Sequence, residues 1–321
     1  ELVLRDIKAL NNPVIIVYNK TDCLDDQPLR IDRDEDGRPN RVWLSAVTGE
    51  GLDLLMQTDR VFRVFESLHE SHQRQIIPSV CRMAQGMAYF QKRFDTEGLT
   101  LLENENELEE YCYFVAGCVG EMLCNLFLLE LPNLSDQSRD IMKRNAVSFG
   151  LGLQITNIAK DFLVDRKRGW SYIPKSMITS NGLTVAEFNR GQSMDKNLKV
   201  IQCLLNKTVG HLQDALKFTL ALPRSAIRLR LFCIWPLWMA LETVALLNNN
   251  RDLLGSEDPA KIPRSTVKTI LLITPWIAWS NSLLTRSFNK ILTRCDCSTP
   301  PRFDIKYLQK RLNKIPALTA G

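Results

Sequence analysis

Gln154, Asn157, Asp161 and Asp165 recur at helical spacing. At about 100° per residue they fall within roughly 80° of one another on a helix. One face therefore carries two amides and two carboxylates, while Leu153, Ile155, Ile158, Phe162 and Leu163 make the other surfaces largely apolar. Carboxylates four residues apart repel each other. A buried pair needs a cation between them. Hard oxygen ligands on a rigid helix suit Mg²⁺, which keeps several waters and binds substrate phosphates. On these four residues alone, a solvated polar face remains the alternative.

The flanks extend the chemistry. Upstream lies the small-residue stretch Asn145 to Leu153; downstream comes a basic turn, Arg166-Lys167-Arg168-Gly169-Trp170, ending at Pro174. An acidic helix followed by a basic turn can clamp a diphosphate, with metal on one side and Lys and Arg on the other. From residue 59 nearly to the end the pattern is helical, broken by Pro, Gly, Asn and Ser. The first 57 residues differ. Pro13 to Tyr18 and Arg41 to Ser45 are short β-branched or aromatic runs, as expected of strands. Charge shifts at the same place: residues 1–57 hold 7 Lys+Arg and 11 Asp+Glu, and the remainder carries a net +9.

With 321 residues, 45% of them hydrophobic, the chain can bury a sizeable core. Its nine cysteines are odd in number and mostly in apolar helical contexts. Free thiols in a reducing cytoplasm are expected, not a disulfide frame. The three histidines, His69, His72 and His211, make no metal motif. Residues 231–247 and 270–279 are apolar but interrupted by Pro236, Glu242 and Pro275, so they read as cavity walls, not spanning helices. No nucleic-acid partner is expected, and a monomer is. Contact with the inner face of a membrane is compatible with a lipid substrate.

At the acidic helix the chain resembles the squalene/phytoene synthases, specifically their second aspartate-rich motif. Further segments agree in order: Cys81 to Phe90, Glu110-Tyr111 to Gly120, Phe232-Cys-Ile-Trp-Pro236 with Asn248 to Asn250, and Lys261-Ile-Pro-Arg264. The resemblance runs from about residue 59 to about 315. It implies an all-helical isoprenoid-synthase bundle over 59–321. It implies Mg²⁺, prenyl diphosphate substrates and, for squalene, NADPH. Two farnesyl diphosphates would condense head to head through presqualene diphosphate; dehydrosqualene or phytoene are alternative products, and the Phe232 segment leans to squalene. Residue by residue, the resemblance makes Asp161 and Asp165 metal ligands, with Gln154, Asn157, Arg166, Lys167 and Arg168 holding diphosphate. Tyr111 and Phe232 become catalytic, and Lys261 and Arg264 meet cofactor phosphates. Trp170 departs from the family, which usually has arginine there.

The N-terminal 58 residues resemble something else. Asn19-Lys20-Thr21-Asp22 after one strand, and Ser45-Ala46 after another, resemble the guanine-reading loops of an HflX-type P-loop GTPase. No GxxxxGK[ST] phosphate loop occurs in the chain. The expectation is a short α/β GTPase remnant with a vestigial guanine site, joined near 57–60 to an N-terminally truncated synthase domain. The family's first aspartate-rich motif has one candidate, Asp22 with Asp26. If those residues do not serve, little or no squalene is expected from this chain, and a GTP-binding fragment becomes the rival reading.

Overall fold

In the computed structural model the described residues are 16–19, 31–33, 39–44, 58–97, 102–167, 171–248, 250 and 261–295. The chain divides into two compact units, Glu1–Gln73 with Pro316–Gly321, and Arg74–Ile315.

The first unit contains a three-stranded sheet in the order β1-β3-β2. β1 (Ile16–Asn19) lies parallel to β3 (Pro39–Leu44), with Ile16 opposite Arg41 and Asn19 opposite Leu44. β2 (Ile31–Arg33) joins β3 antiparallel, with an irregularity between Asp32 and Arg33. Both expected strands form, each shifted by about two residues. Helix α1 (Thr58–Ser67) comes next. The Gln73 amide donates to the carbonyls of Phe65, Glu66 and Leu68 and so satisfies acceptors at the α1 C-terminus.

The second unit is helical. Helix α2 (Glu70–Glu97) runs into it. Next comes α3 (Glu105–Cys112), capped by Asn104, whose side chain accepts from the Glu107 amide at 3.1 Å. A π-helical turn, Tyr113–Gly117, joins α3 to α4 (Cys118–Glu130). Such a widened turn rotates the succeeding helix and re-aims nearby side chains. Helix α5 (Asp136–Lys167) is the longest among the described residues. Two short helices come after it, α6 (Lys175–Ser180) and α7 (Val185–Asn189), the second opened by a Thr184–Glu187 capping box. Then come α8 (Met194–Ala221), α9 (Ile227–Leu247), α10 (Arg264–Ile277) and α11 (Asn281–Leu292).

Helix α5 is the axis of this unit and packs on α3, α4, α8, α9 and the π turn. Ile155, Ile158, Ala159 and Phe162 are buried in one core with Leu204, Leu205 and Leu212 of α8. The small residues near 145–153 let the backbones close up. A Cβ on Gly120 would collide with the Ala146 carbonyl oxygen, and one on Gly150 with that of Ala116. Only glycine fits such an approach. Beside this crossing, Ser148 Oγ sits 2.8 Å from His211 Nδ1 and donates to Asp214 at 3.1 Å.

Two segments are long and apolar enough by composition to cross a bilayer, Glu105–Glu130 and Ile227–Leu247. Both are better explained as core. The first buries Glu107, Glu109 and Glu110, and Lys207 of α8 pairs with Glu109. The second buries Arg230, which donates to the Leu222 carbonyl beyond the end of α8 and to Asn281. The seven described cysteines are free thiols, five of them buried.

Candidate functional site

The polar face of α5 forms near its C-terminal end. Gln154, Asp161 and Asp165 are half-buried and Asn157 is exposed. The face is therefore partly withdrawn from water, between the expected buried pair and the solvated alternative. Lys160, which is not among the residues expected at the site, lies 3.4 Å from Asp161 Oδ2 and 3.5 Å from Asn157 Oδ1. It supplies part of the positive charge that the acidic face needs.

Opposite Asp165 stands Tyr111, the penultimate residue of α3. Its ring stacks on Tyr172 with centroids 4.7 Å apart and planes 21° from parallel. Phe90 meets it edge-on at 5.4 Å. Burial, then a hydrogen bond and charge coupling with Tyr172, and also the charges of Cys112 and Asp165, hold its hydroxyl well above the ordinary phenol range. Burial thus favours the protonated phenol at Tyr111. Tyr172 is a site residue that motif reasoning misses. Its one signal in the sequence is an aromatic residue two places before Pro174, which ends the basic turn.

Tyr113, two residues on, has different partners. Its hydroxyl donates to Glu121 Oε2 at 2.8 Å and accepts from Arg82 Nη1 at 2.6 Å; Arg82 also meets Glu121 at 3.2 Å. Burial and the neighbouring Glu121 raise this phenol too.

Other expected site residues lie elsewhere. Arg166 is half-buried and makes a long contact, 3.5 Å, with the Phe188 carbonyl at the end of α7. Burial lowers its pKa. Lys167 ends α5, but its side chain lies outside the described residues, as does Arg168. Phe232 is 52% exposed and meets Phe127 edge-on at 5.9 Å. Phe127 belongs to a second core cluster with Met142, Ala146 and Cys233. Ala146 is about 28 Å along α5 from Asp165, at 1.5 Å per residue, so Phe232 is not beside the tyrosine pair. Lys261 and Arg264 are exposed at the start of α10. Asn19 ends β1. Lys20, Asp22, Ser45 and Ala46 lie outside the described residues.

Among the described residues, no group of three or more His, Cys, Asp or Glu side chains is placed to hold a metal. The donor set at Asp161 and Asp165 is two carboxylates one helical turn apart, with amide oxygens alongside. That fits a hard cation that retains most of its water, as Mg²⁺ does. It does not fit a metal needing a full protein cage. A cleft of about 550 Å³ lies elsewhere, lined by Glu130–Ser135, Leu220–Ser225 and Asn281, and includes none of the expected site residues.

Known proteins resemble the chain along most of its length. The squalene synthase of Eremothecium gossypii is 29% identical over 234 residues, covering 71% of this chain and 50% of that protein. The squalene synthase of Candida albicans is 30% identical over 227 residues, covering 68% and 48%. The human squalene synthase is 28% identical over 212 residues, covering 65% and 47%. The chain thus spans about half the length of the curated relatives it matches. A solved structure described as TcSQS with the ligand BPH1237 superposes with a TM-score of 0.65 at 22% identity, covering 81% of this chain and 72% of that one. It supports the helical fold. The family model for squalene/phytoene synthase matches residues 12–266. Its span opens upstream of the expected start near 59 and takes in the segment that resembles a GTPase tail. With the family's model matched over most of its length, this chain belongs to the squalene/phytoene synthase family.

Proposed function

We propose that the protein condenses two farnesyl diphosphates head to head, through presqualene diphosphate, to squalene. The observation that carries this reading is the stacked Tyr111–Tyr172 pair beside Asp165 on the polar face of α5. Asp161 and Asp165 would hold Mg²⁺, with Gln154 and Asn157 hydrogen-bonding its waters or the diphosphate. Bound Mg²⁺ supplies positive charge against the leaving diphosphate. The protonated Tyr111 hydroxyl would donate toward that oxygen and then help control the proton inventory around the cation. Lys167 and Arg168 would contact diphosphate, and Arg166 would brace the turn through Phe188. Phe232, set against Phe127 away from the tyrosine pair, would lie against the far end of the prenyl chain. Lys261 and Arg264, exposed and uncrowded, would meet NADPH phosphates, and NADPH supplies the hydride when bound.

The family match reaches residue 12 and so takes in Asp22 and Asp26. That supports these two as the candidate for the family's first aspartate-rich motif. A cytoplasmic, monomeric enzyme working against a membrane surface is the setting we infer. One observation favours the rival nucleotide reading: β1 and β3 are parallel, with Asn19 and Leu44 in register. The two candidate guanine-reading segments thus come directly after neighbouring strand ends. Gas-chromatographic product analysis with Mg²⁺, farnesyl diphosphate and NADPH tests the proposal. Squalene is expected, with the rate falling on Tyr111→Phe. Dehydrosqualene in the presence of NADPH would favour the alternative product, and GTP binding without prenyl turnover would favour the rival.

A further inference from the structure

We propose that the outer face of α10, with its turn into α11, docks on an anionic lipid surface. Helix α10 is apolar on two sides. Its inner side buries Ile270, Thr274 and Ala278, and the Trp235 indole of α9 donates to Thr274 Oγ1 at 3.0 Å. Its outer side leaves Leu272 71%, Ile273 51%, Trp276 80% and Trp279 57% exposed. A helix in contact with water normally turns a polar face outward, and a cluster of large exposed apolar side chains marks an interaction surface. Two tryptophans lead this one, and tryptophan favours the boundary between hydrocarbon and water.

Charge selects the partner. Residues 261–294 contain six Lys+Arg and no Asp or Glu. Lys268 stands four residues before Leu272 and eight before Trp276, so the three share one stripe of α10. Leu283, Arg286 and Lys290 share one on α11 in the same way. Arg294 pairs with Glu242. The exposed Lys268, Arg286 and Lys290 form no ion pair with a carboxylate among the described residues. Apolar insertion combined with basic side chains is what holds a peripheral helix on acidic headgroups. A second copy of the same face would bring two strongly basic segments together, which disfavours self-association. The inference rests on this surface and not on the reaction proposed above.

The test is flotation of the whole chain with vesicles of phosphatidylcholine, and with vesicles of phosphatidylcholine and phosphatidylglycerol in equal parts. Association with the anionic vesicles is expected, with a blue shift of tryptophan emission and weakening by salt. Trp276→Ser with Trp279→Ser should lower the partition coefficient roughly tenfold or more. Lys268→Gln with Arg286→Gln and Lys290→Gln should lower it on anionic vesicles and leave any binding to neutral ones unchanged. All these side chains are exposed, so circular dichroism should match the parent for both variants. Absence of flotation, or flotation indifferent to both sets of substitutions, overturns the proposal. So does a dimer in sedimentation that the tryptophan variant abolishes, because the face would then belong to a second copy.

Discussion

Tyr111 and Tyr113 lie two residues apart, either side of the point where α3 widens into its π turn, and their hydroxyls keep opposite company. Tyr113 sits between a cation and an anion, Arg82 and Glu121, which ties α2 to the π turn and α4. Its charges are internally balanced. Tyr111 stacks on a second tyrosine and feels the charge of a carboxylate, Asp165. Lys160, one turn back from Asp165, offers a positive charge to the acidic face, and it is shared between Asp161 and Asn157. One tyrosine holds the fold together. The other borders the acidic face of α5.

The largest expected effect disturbs both tyrosines at once. Gly150 abuts the backbone of Ala116 and Gly117 in the π turn. Gly150→Ala should cost about 3 kcal/mol, because overpacking against backbone cannot be relieved by rotating a side chain. Urea unfolding measures it, and a loss below about 0.5 kcal/mol would mean the crossing is looser than described.

Next in size is a pH effect beside the same crossing. Burial and nearby Lys207 push His211 down to about 3. The unfolded chain takes up a proton near the ordinary value of about 6.5 while the folded chain does not. Stability should therefore fall as pH drops below about 6.5, by up to roughly 1.4 kcal/mol per unit from this group alone, or about 2 kcal/mol by pH 5. His211→Gln should remove that slope between pH 6.5 and 5. Equal slopes in both proteins would show that His211 becomes protonated inside the fold.

The smallest effect sharpens the contrast directly. Tyr113→Phe should cost about 1–1.5 kcal/mol, the worth of its lost hydrogen bonds. Tyr111→Phe should cost less in stability and more in activity. If Tyr111→Phe proved the more destabilising, the division of labour would be reversed.

Parts of this were legible in the sequence. The helical phase of Gln154, Asn157, Asp161 and Asp165 is a local property, and α5 carries all four. Tyr111 could be singled out because a motif surrounds it. The strands near 13–18 and 41–45 were readable from β-branched runs. The Tyr111–Tyr172 stack was not, since it joins segments sixty residues apart through tertiary packing. The π turn was not, because nothing in the side chains from Tyr113 to Gly117 announces a change of backbone hydrogen bonding. Arg82 could not be paired with Tyr113 for the same reason as the stack. Phe232 shows the opposite failure: a motif match suggested the residue, and packing set it against Phe127 near the other half of α5.

Calorimetric titration with a non-hydrolysable farnesyl diphosphate analogue, with and without Mg²⁺, tests the central claim most directly. It should be run on the parent, Asp161→Asn, Asp165→Asn and, as control, Glu103→Gln, a surface carboxylate 3.6 Å from Lys175. The parent should bind only with Mg²⁺. The two aspartate variants should lose at least roughly tenfold in affinity, since each removes a direct oxygen ligand for a hard cation, while their melting temperatures stay close to the parent's. Glu103→Gln should bind as the parent does. Binding that ignores Mg²⁺, or equal affinity in all three variants, would contradict the assignment of the α5 face as the diphosphate site.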